Sequence, residues 1–190
     1  MGLDPSGSRG DGDLTASLIV RLQHGDTNAG LMLDRLYRER MIRFCWGYLG
    51  SREEAEDAVQ DLFCKVLAVA YVPDSFRPWL YRAARNHCLN LLRARARRKD
   101  AGELPPASCL EMTATGHLTR LVKHEQRSRI GHLLAALAPK YREALVLRYA
   151  EGLSRAEIAD VLGLSVAMVR SRLFEGLKKL RHHASLLENS

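Results

Sequence analysis

The sequence has few cysteines, and none has the spacing of a metal site. There is no C-x-x-C pair and no histidine at zinc-finger spacing. The four cysteines are Cys45, Cys64, Cys88 and Cys109. We expect reduced thiols, mostly in hydrophobic cores, with no metal and no cofactor. A zinc site assembled from distant residues is the alternative that spacing leaves open.

Long apolar runs and catalytic motifs are also missing. No stretch approaches the roughly 20 apolar residues that span a bilayer, and residues 1–13 lack the apolar segment of a secretory signal. A cytoplasmic protein is therefore expected. Without a Gly-rich phosphate loop or a Ser/His/Asp or Cys/His set on a plausible scaffold, the sequence gives no support for a hydrolase or transferase. We expect a protein that is not an enzyme.

Positive charge is what the chain has in excess. Its formal net charge is +7 and its pI is near 9.5, which favours an anionic partner such as nucleic acid or an acidic membrane surface. A length of 190 residues with 46% hydrophobic residues allows one or two small packed domains.

Apolar spacing near 3.6 residues predicts an all-α fold of two small helical domains joined by a flexible linker. Residues 1–13 are expected to be a disordered tail, 14–99 the first domain, 100–125 the linker and 126–187 the second domain. In the first domain we expect a short helix over Leu14–Gln23, then a longer one capped by Asp26 and ended by Gly50. Ser51 and Glu54 have the spacing of a capping box for a third helix.

The fourth predicted helix organises the chain. It runs from about Phe76 to Lys99 and carries eight basic residues and no acid. At 100° per residue, one stripe holds an indole, two amides and several cations: Trp79, Arg82, Asn86, Asn90, Arg93 and Arg97. Cations suit phosphates, amides can bond base edges and an indole can stack on an unstacked base, so the stripe favours single-stranded nucleic acid. A solvated basic helix with a structural tryptophan is the competing interpretation.

The third helix has two different faces. Its apolar stripe includes Ala55, Val59 and Leu62, while Asp57, Gln60, Asp61 and Cys64 lie almost opposite. We therefore expect a second function for the polar face. The carboxylates can also be explained as helix-start residues that offset the macrodipole.

The second domain contains a helix-turn-helix pattern. Ser154 and Glu157 form a capping box, Gly163 permits a sharp turn and Ser165 caps a last helix. The buried stripe of that helix is predicted to hold Val166, Val169, Leu173, Leu177 and Leu180. Its outward residues are Met168, Ser171, Phe174, Glu175 and Lys178, with Arg170 and Arg172 at the margins. Such a face can enter a major groove, although similar hairpins also occur as purely structural elements.

Three stretches together resemble bacterial sigma factors of the extracytoplasmic-function group. They are SREEAEDAVQDLFCKV, PWLYRAARNHCLNLLRARARR and LAPKYREALVLRYAEGLSRAEIADVLGLSVAMVRSRLFEGLKKLR, in that order. The resemblance covers nearly the whole chain apart from the tail and the linker. It implies that the first domain binds core RNA polymerase and the melted minus-ten element, and that the second reads the minus-thirty-five element as duplex. An anti-sigma factor is a further implied partner, and no membrane insertion is expected.

The resemblance also implies roles for particular residues. It places the polymerase contact on Asp57, Gln60 and Asp61. The candidates for minus-ten DNA are Tyr71, Trp79, Arg82, Arg85, Asn86, Asn90 and Arg93. Those for minus-thirty-five DNA are Arg170, Ser171, Arg172, Phe174, Glu175 and Lys178. Asn90 stands where many relatives have aspartate, and Glu175 where some have a basic residue.

Two questions stay open at the level of sequence. Trp79 can wedge or stack at the duplex edge, or it can simply anchor the start of its helix. A stand-alone regulator that binds an operator as a dimer through the second domain is the alternative function. The acidic patch on the third helix argues against that alternative.

Overall fold

The computed structural model describes residues 6–68, 73, 75–98, 133–134 and 136–188. Its regular elements are all helical, which confirms the predicted fold class. The first domain comprises α1 (Ser6–Gln23), α2 (Thr27–Leu49), α3 (Arg52–Ala68) and α4 (Phe76–Arg98). The second comprises α5 (Pro139–Leu145), a π-helical turn (Val146–Ala150), α6 (Arg155–Leu162) and α7 (Val166–Glu188). In the described part of the chain, no helix is long and apolar enough to cross a membrane.

Local signals explain where α2 begins and ends. The Asp26 carboxylate accepts the Asn28 N–H at 2.9 Å, and the Gly50 N–H donates to the Trp46 carbonyl at 2.9 Å. Gly50 has φ +74°, a left-handed conformation that costs glycine little. The caps predicted at Asp26 and Gly50 are therefore present, and they fix the span of the longest apolar stripe in the first domain.

The N-terminal boundary of α1 differs from the prediction. The helix begins at Ser6, so the expected disorder of residues 1–13 is wrong for residues 6–13. That stretch holds no large apolar side chain, so the periodicity that predicts a helix is missing from it. Residues 1–5 and the predicted linker at 100–125 lie outside the described residues.

Aromatic rings join the helices of the first domain. Phe44 contacts Tyr48 and Tyr81 edge to face, with ring centroids 5.2 Å and 5.1 Å apart. Tyr37 meets Phe76 in the same way at 5.5 Å. These contacts connect α2 to α4 across the buried core, and edge-to-face pairs of this kind add to the stabilisation from burial. The result is a fixed platform for the polar side of α4.

Helix geometry exposes two apolar side chains of the second domain. Tyr149 is 46% exposed, because the π-helical turn that contains it adds a residue per turn and rotates it out of line with Tyr141 and Leu145. Val166 was expected to be buried and is 44% exposed, since it is the first residue of α7 and extends beyond the core. Val169 and Leu173 are buried as predicted.

The cysteines that the structure describes are free thiols. Cys45 and Cys88 are buried and Cys64 is exposed on α3. Burial and the neighbouring Cys88 thiol raise the pKa of Cys45 well above its usual range: the hydrogen bond with Cys88 contributes most, followed by desolvation. A protonated thiol in a core behaves as a small apolar side chain. Cys109 lies outside the described residues.

Gly176 lies where α7 packs against α5. A Cβ on this residue would lie 3.1 Å from Leu145 Cδ1 and 3.3 Å from Tyr141 Cβ. We expect Gly176→Val to destabilise the second domain by about 1–3 kcal/mol through overpacking, measured by denaturant unfolding. Ala167→Val, at an exposed position of the same helix, is the matched control and should change stability much less. Equal effects of the two substitutions would contradict the packing argument.

Candidate polymerase and promoter surfaces

The predicted nucleic-acid stripe of α4 borders a cavity of about 300 Å³. The cavity lies between α3 and α4, and its lining residues are Leu62, Lys65, Val66, Trp79, Ala83, Asn86, His87 and Asn90. Asn86 and Asn90 are exposed one turn apart, and Asn90 Oδ1 accepts a hydrogen bond from Arg93 Nη1 at 2.9 Å. The cavity therefore combines an apolar floor with directed amides at its rim, a combination that suits a flat polar ring such as a base.

The placement of Trp79 is compatible with both of the roles that the sequence left open. Its ring is partly buried against the core and lies 5.8 Å from the Phe76 ring, centroid to centroid. The same side chain also lines the cavity. The indole is thus held in one place by packing while part of it faces the cavity.

His87 and Lys65 line the cavity without having been predicted as site residues. The ring of His87 is largely buried, with Nε2 3.7 Å from Asp61 Oδ2, too long for a hydrogen bond. Burial, and then the nearby Lys65 ammonium, lower the pKa of His87, with Asp61 opposing them. The imidazole is therefore neutral near pH 7. No spacing rule places Lys65 beside it, because the two residues come from different helices.

The cations of α4 divide into two groups. Arg82, Arg93 and Arg97 are exposed, as phosphate contacts require. Arg95 forms an ion pair with Glu54 of α3, and Arg85 is turned toward the second domain. The predicted site residue Tyr71 lies outside the described residues. The structure thus brings together all of the minus-ten candidates on α4 except Arg85.

The polar face of α3 is exposed as predicted. Asp57, Gln60, Asp61 and Cys64 are all accessible, while Ala55 and Val59 on the opposite face are fully buried. Because α3 begins at Arg52, Gln60 and Asp61 lie in its third turn. The macrodipole acts on charges in the first turn of a helix, so it does not account for a carboxylate at Asp61.

The helix-turn-helix has both of its predicted caps. In the box at the start of α6, Ser154 Oγ accepts the Glu157 N–H at 3.1 Å and the Ser154 N–H donates to Glu157 Oε2 at 2.7 Å. Gly163 turns the chain with φ +66°, and Ser165 Oγ accepts the Met168 N–H at 3.2 Å. These bonds fix where α7 begins, and so which of its side chains point outward.

The exposed face of α7 matches the predicted set except at Glu175, which was expected to point outward. Arg170, Ser171 and Lys178 are exposed, Phe174 is 68% exposed, and Arg172 and Glu175 are half-buried. Beside this face lies a groove of about 610 Å³ whose lining includes Arg148, Tyr149, Arg155, Arg170 and Phe174. Tyr149 reaches the groove because the π-helical turn rotates it outward, which is why sequence spacing missed it.

The two domains meet through buried polar groups. Tyr48 donates a short hydrogen bond to Glu143 Oε1, and Arg85 Nε donates to the same oxygen at 2.6 Å. Burial opposes the charge on Arg85, but the Glu143 carboxylate outweighs it and raises the pKa of Arg85. Burial, and then Glu143, raise the pKa of Tyr48 well above its usual range. No local sequence pattern predicts this contact, because Tyr48 and Glu143 are 95 positions apart.

A second set of bonds lies beside the first. Tyr81 donates to Glu151 Oε2 at 2.5 Å, and Arg77 donates to the Glu151 backbone carbonyl. Burial raises the pKa of Glu151, while the Tyr81 hydrogen bond and the guanidinium of Arg43 reduce the shift. The carboxylates of the second domain are therefore desolvated against arginines and tyrosines of the first.

Comparisons with known proteins give these surfaces a context. A family model described as Sigma-70 region 2 matches residues 33–98, and one described as Sigma-70, region 4 matches residues 127–180. The first match includes α3 and α4, and the second includes the helix-turn-helix. Both matches fall on the domains that carry the exposed polar faces.

Relatives match along most of the chain. It is 31% identical over 179 residues to the ECF RNA polymerase sigma factor SigW of Bacillus subtilis, covering 86% of this chain and 92% of SigW. It is 32% identical over 155 residues to the ECF RNA polymerase sigma factor SigE of Mycolicibacterium smegmatis, covering 80% of this chain and 60% of that protein. CnrH, solved in complex with the cytosolic domain of CnrY, has a similar fold: TM-score 0.66, 24% identity, 93% of this chain and 99% of CnrH. The chain belongs to the extracytoplasmic-function group of the sigma-70 family, whose members are sigma factors of RNA polymerase.

Proposed function

We propose that the two domains divide the work of a sigma factor between them. The first domain holds core polymerase on the polar face of α3 and the melted minus-ten strand on the polar face of α4. The second domain reads the minus-thirty-five element with α7. The observation that supports this division best is the separation of an acidic face, a basic amide-bearing face and a helix-turn-helix on one chain. The protein acts by binding, with no catalytic step of its own, in the cytoplasm where polymerase and promoter are.

Run-off transcription with purified core polymerase tests the proposal. The chain should direct initiation from its promoter only when core polymerase is present. A dimeric repressor would bind duplex DNA alone and would give no transcript with core polymerase. A protein that forms an operator complex as a dimer and never directs initiation would contradict our proposal.

For the minus-ten element, we propose that one base is extruded into the cavity beside Asn86 and Asn90. Extrusion removes the stacking of the base, which costs on the order of a few kcal/mol. Hydrogen bonds from a shaped pocket must offset that cost. Arg82 and Arg93, exposed on the same side, can neutralise phosphates of the single strand. Trp79 would support the base or the duplex edge from the cavity wall.

An anti-sigma factor is a further proposed partner. The similar structure of CnrH was solved in complex with the cytosolic domain of CnrY. On this chain the groove beside α7 offers apolar surface from Phe174 and Leu177 flanked by arginines. A partner that covers it would also hide the minus-thirty-five face, because Arg170 and Ser171 belong to both.

Glu175 should affect which minus-thirty-five sequence is preferred more than how tightly promoters are bound. A carboxylate accepts from the amino group of cytosine, so we expect Glu175→Ala to change the preference at one base pair by about 1–3 kcal/mol. Lys178→Ala, if that ammonium meets a phosphate, should weaken binding to all promoters about equally and make it less dependent on salt. Selection from a promoter library measures the preferred base pair and the relative binding of different promoters. The same preferred sequence with and without Glu175 would rule out direct readout by this carboxylate.

A further inference from the structure

Tyr149 is an aromatic side chain that the backbone turns outward. The Glu151 N–H donates to the Val146 carbonyl at 3.0 Å, and this wider turn adds one residue to the helix that α5 begins. At a steady 100° per residue, Tyr149 would stay in phase with Tyr141 and Leu145, which face α7. Instead the residue is 46% exposed. Insertions of this kind are rare and are frequently found at functional sites, so we expect the exposed side chain to have a function.

The Tyr149 hydroxyl forms no hydrogen bond with another residue in the described part of the chain. The hydroxyls of Tyr48 and Tyr81, by contrast, are buried and donate to carboxylates. A phenol is a hydrogen-bond donor as well as an acceptor. An exposed phenol whose hydroxyl has no partner in the described fold is available to a partner outside the chain.

The groove that Tyr149 lines is basic. Its lining includes Arg148, Arg155 and Arg170, and none of the described residues that line it is acidic. Arg155 is exposed at the start of α6, and Arg170 is exposed on α7. Guanidinium groups suit the oxygens of a phosphate. The lining therefore favours an anionic occupant beside the Tyr149 hydroxyl.

The dimensions of duplex DNA decide which part of it Tyr149 can meet. An α-helix with its side chains is about 10–12 Å across, and the major groove is about 12 Å wide. A recognition helix such as α7 therefore fills the major groove, and the elements beside it meet the sugar–phosphate walls. Tyr149 belongs to the π-helical turn and not to α7, so its hydroxyl is on the side of the backbone. Tyrosine is among the side chains that donate to phosphates in protein–DNA complexes.

We propose that Tyr149 is a positioning residue of the second domain, whose hydroxyl donates to a backbone phosphate beside the minus-thirty-five element. The contact fixes the register of α7 in the major groove and carries no sequence information itself. Because a phenol is neutral, the bond neutralises no phosphate charge and releases no counterion. The inference rests on the proposed reading of that element by α7, and it adds a contact from outside the helix-turn-helix.

Promoter binding by holoenzyme, assembled from core polymerase and full-length variants, tests the role of the hydroxyl. The probe is a promoter selected from a library with the wild-type chain. Tyr149→Phe should weaken binding about five- to 20-fold, because it removes a charge-assisted hydrogen bond and keeps the ring. The preferred minus-thirty-five sequence and the slope of log K against log salt concentration should not change. Tyr141→Phe, at a half-buried tyrosine of α5 outside the groove, is the matched control and should change affinity less than about twofold.

Replacement of single phosphates by neutral methylphosphonates locates the contact on the DNA. One such replacement beside the minus-thirty-five element should weaken binding by the wild type and have little further effect on Tyr149→Phe, since both changes remove the same bond. Replacements elsewhere should weaken both proteins alike. Wild-type affinity of Tyr149→Phe, an altered sequence preference, an equal loss for Tyr141→Phe, or losses that add at every phosphate would each overturn the proposal.

Arg170→Ala separates this inference from the proposed function on which it rests. Arg170 is exposed on α7, so its removal should weaken promoter binding whether or not Tyr149 contacts a phosphate. A loss for Arg170→Ala with wild-type binding by Tyr149→Phe would overturn the role of Tyr149 alone. Unchanged promoter binding by Arg170→Ala would contradict the reading of the minus-thirty-five element by α7, and the proposed role of Tyr149 would fail with it.

Discussion

Replacing Asn86 with alanine should leave the binding of core polymerase intact while strand opening at the minus-ten element falls about 10- to 100-fold. Asn86 lies at the rim of the cavity between α3 and α4, where an amide can bond the edge of an extruded base. A bidentate amide contact is worth about 1–3 kcal/mol, and each 1.4 kcal/mol is a factor of about ten. Arginines neutralise a strand but do not hold one base in place. Permanganate footprinting of the promoter measures the loss.

Two controls separate base capture from a general defect. Asn28→Ala removes an exposed amide at the start of α2, far from the cavity along the chain, and should open promoters normally. A promoter that is already unpaired at the minus-ten element should restore part of the activity of Asn86→Ala, because the cost of unpairing has been removed. Normal opening of a fully paired promoter by Asn86→Ala would show that the cavity does not hold the base.

Local sequence signals predicted the elements that carry the site. The amides and cations of the stripe predicted on the fourth helix are exposed on the side where the 100° spacing places them. At the helix-turn-helix, the Ser154–Glu157 box and Gly163 each act through bonds to residues three or four positions away. Signals of such short range can be read from the order of residues alone.

Features that depend on distant residues could not be predicted in this way. Tyr48 is buried in the core of the first domain, but its hydroxyl meets Glu143, 95 positions further along the chain. The π-helical turn at Val146–Ala150 changes the phase of a helix, and an apolar pattern does not reveal such an insertion. Lys65 and His87 reach one cavity only because α3 packs on α4. Each of these features arises from packing between elements.

Removal of the polar face of α3 should weaken the binding of core polymerase by about tenfold or more while the first domain stays folded. Asp57 and Gln60 are exposed on the side opposite the buried Ala55 and Val59. Their replacement by alanine in one variant removes no core contact, and alanine is a good helix former. Only a minority of interface residues cost more than about 1 kcal/mol when truncated, and these lie near the centre of the interface, so a tenfold loss is expected if the interface is centred on Asp57 and Gln60. A pull-down or fluorescence titration with core polymerase measures the loss.

The matched control for this variant is Glu53→Ala, which removes an exposed carboxylate from the first turn of the same helix. There the carboxylate offsets the macrodipole, so its loss should lower the free energy of unfolding by about 0.3–1 kcal/mol and leave polymerase affinity unchanged. The Asp57→Ala, Gln60→Ala variant should show the reverse, with affinity lost and stability kept, because Asp57 lies in the second turn and Gln60 in the third. The opposite result would be a double variant that unfolds more easily than Glu53→Ala and binds core polymerase as the wild type does. In that case Asp57 and Gln60 would stabilise α3, and the polymerase contact would lie elsewhere.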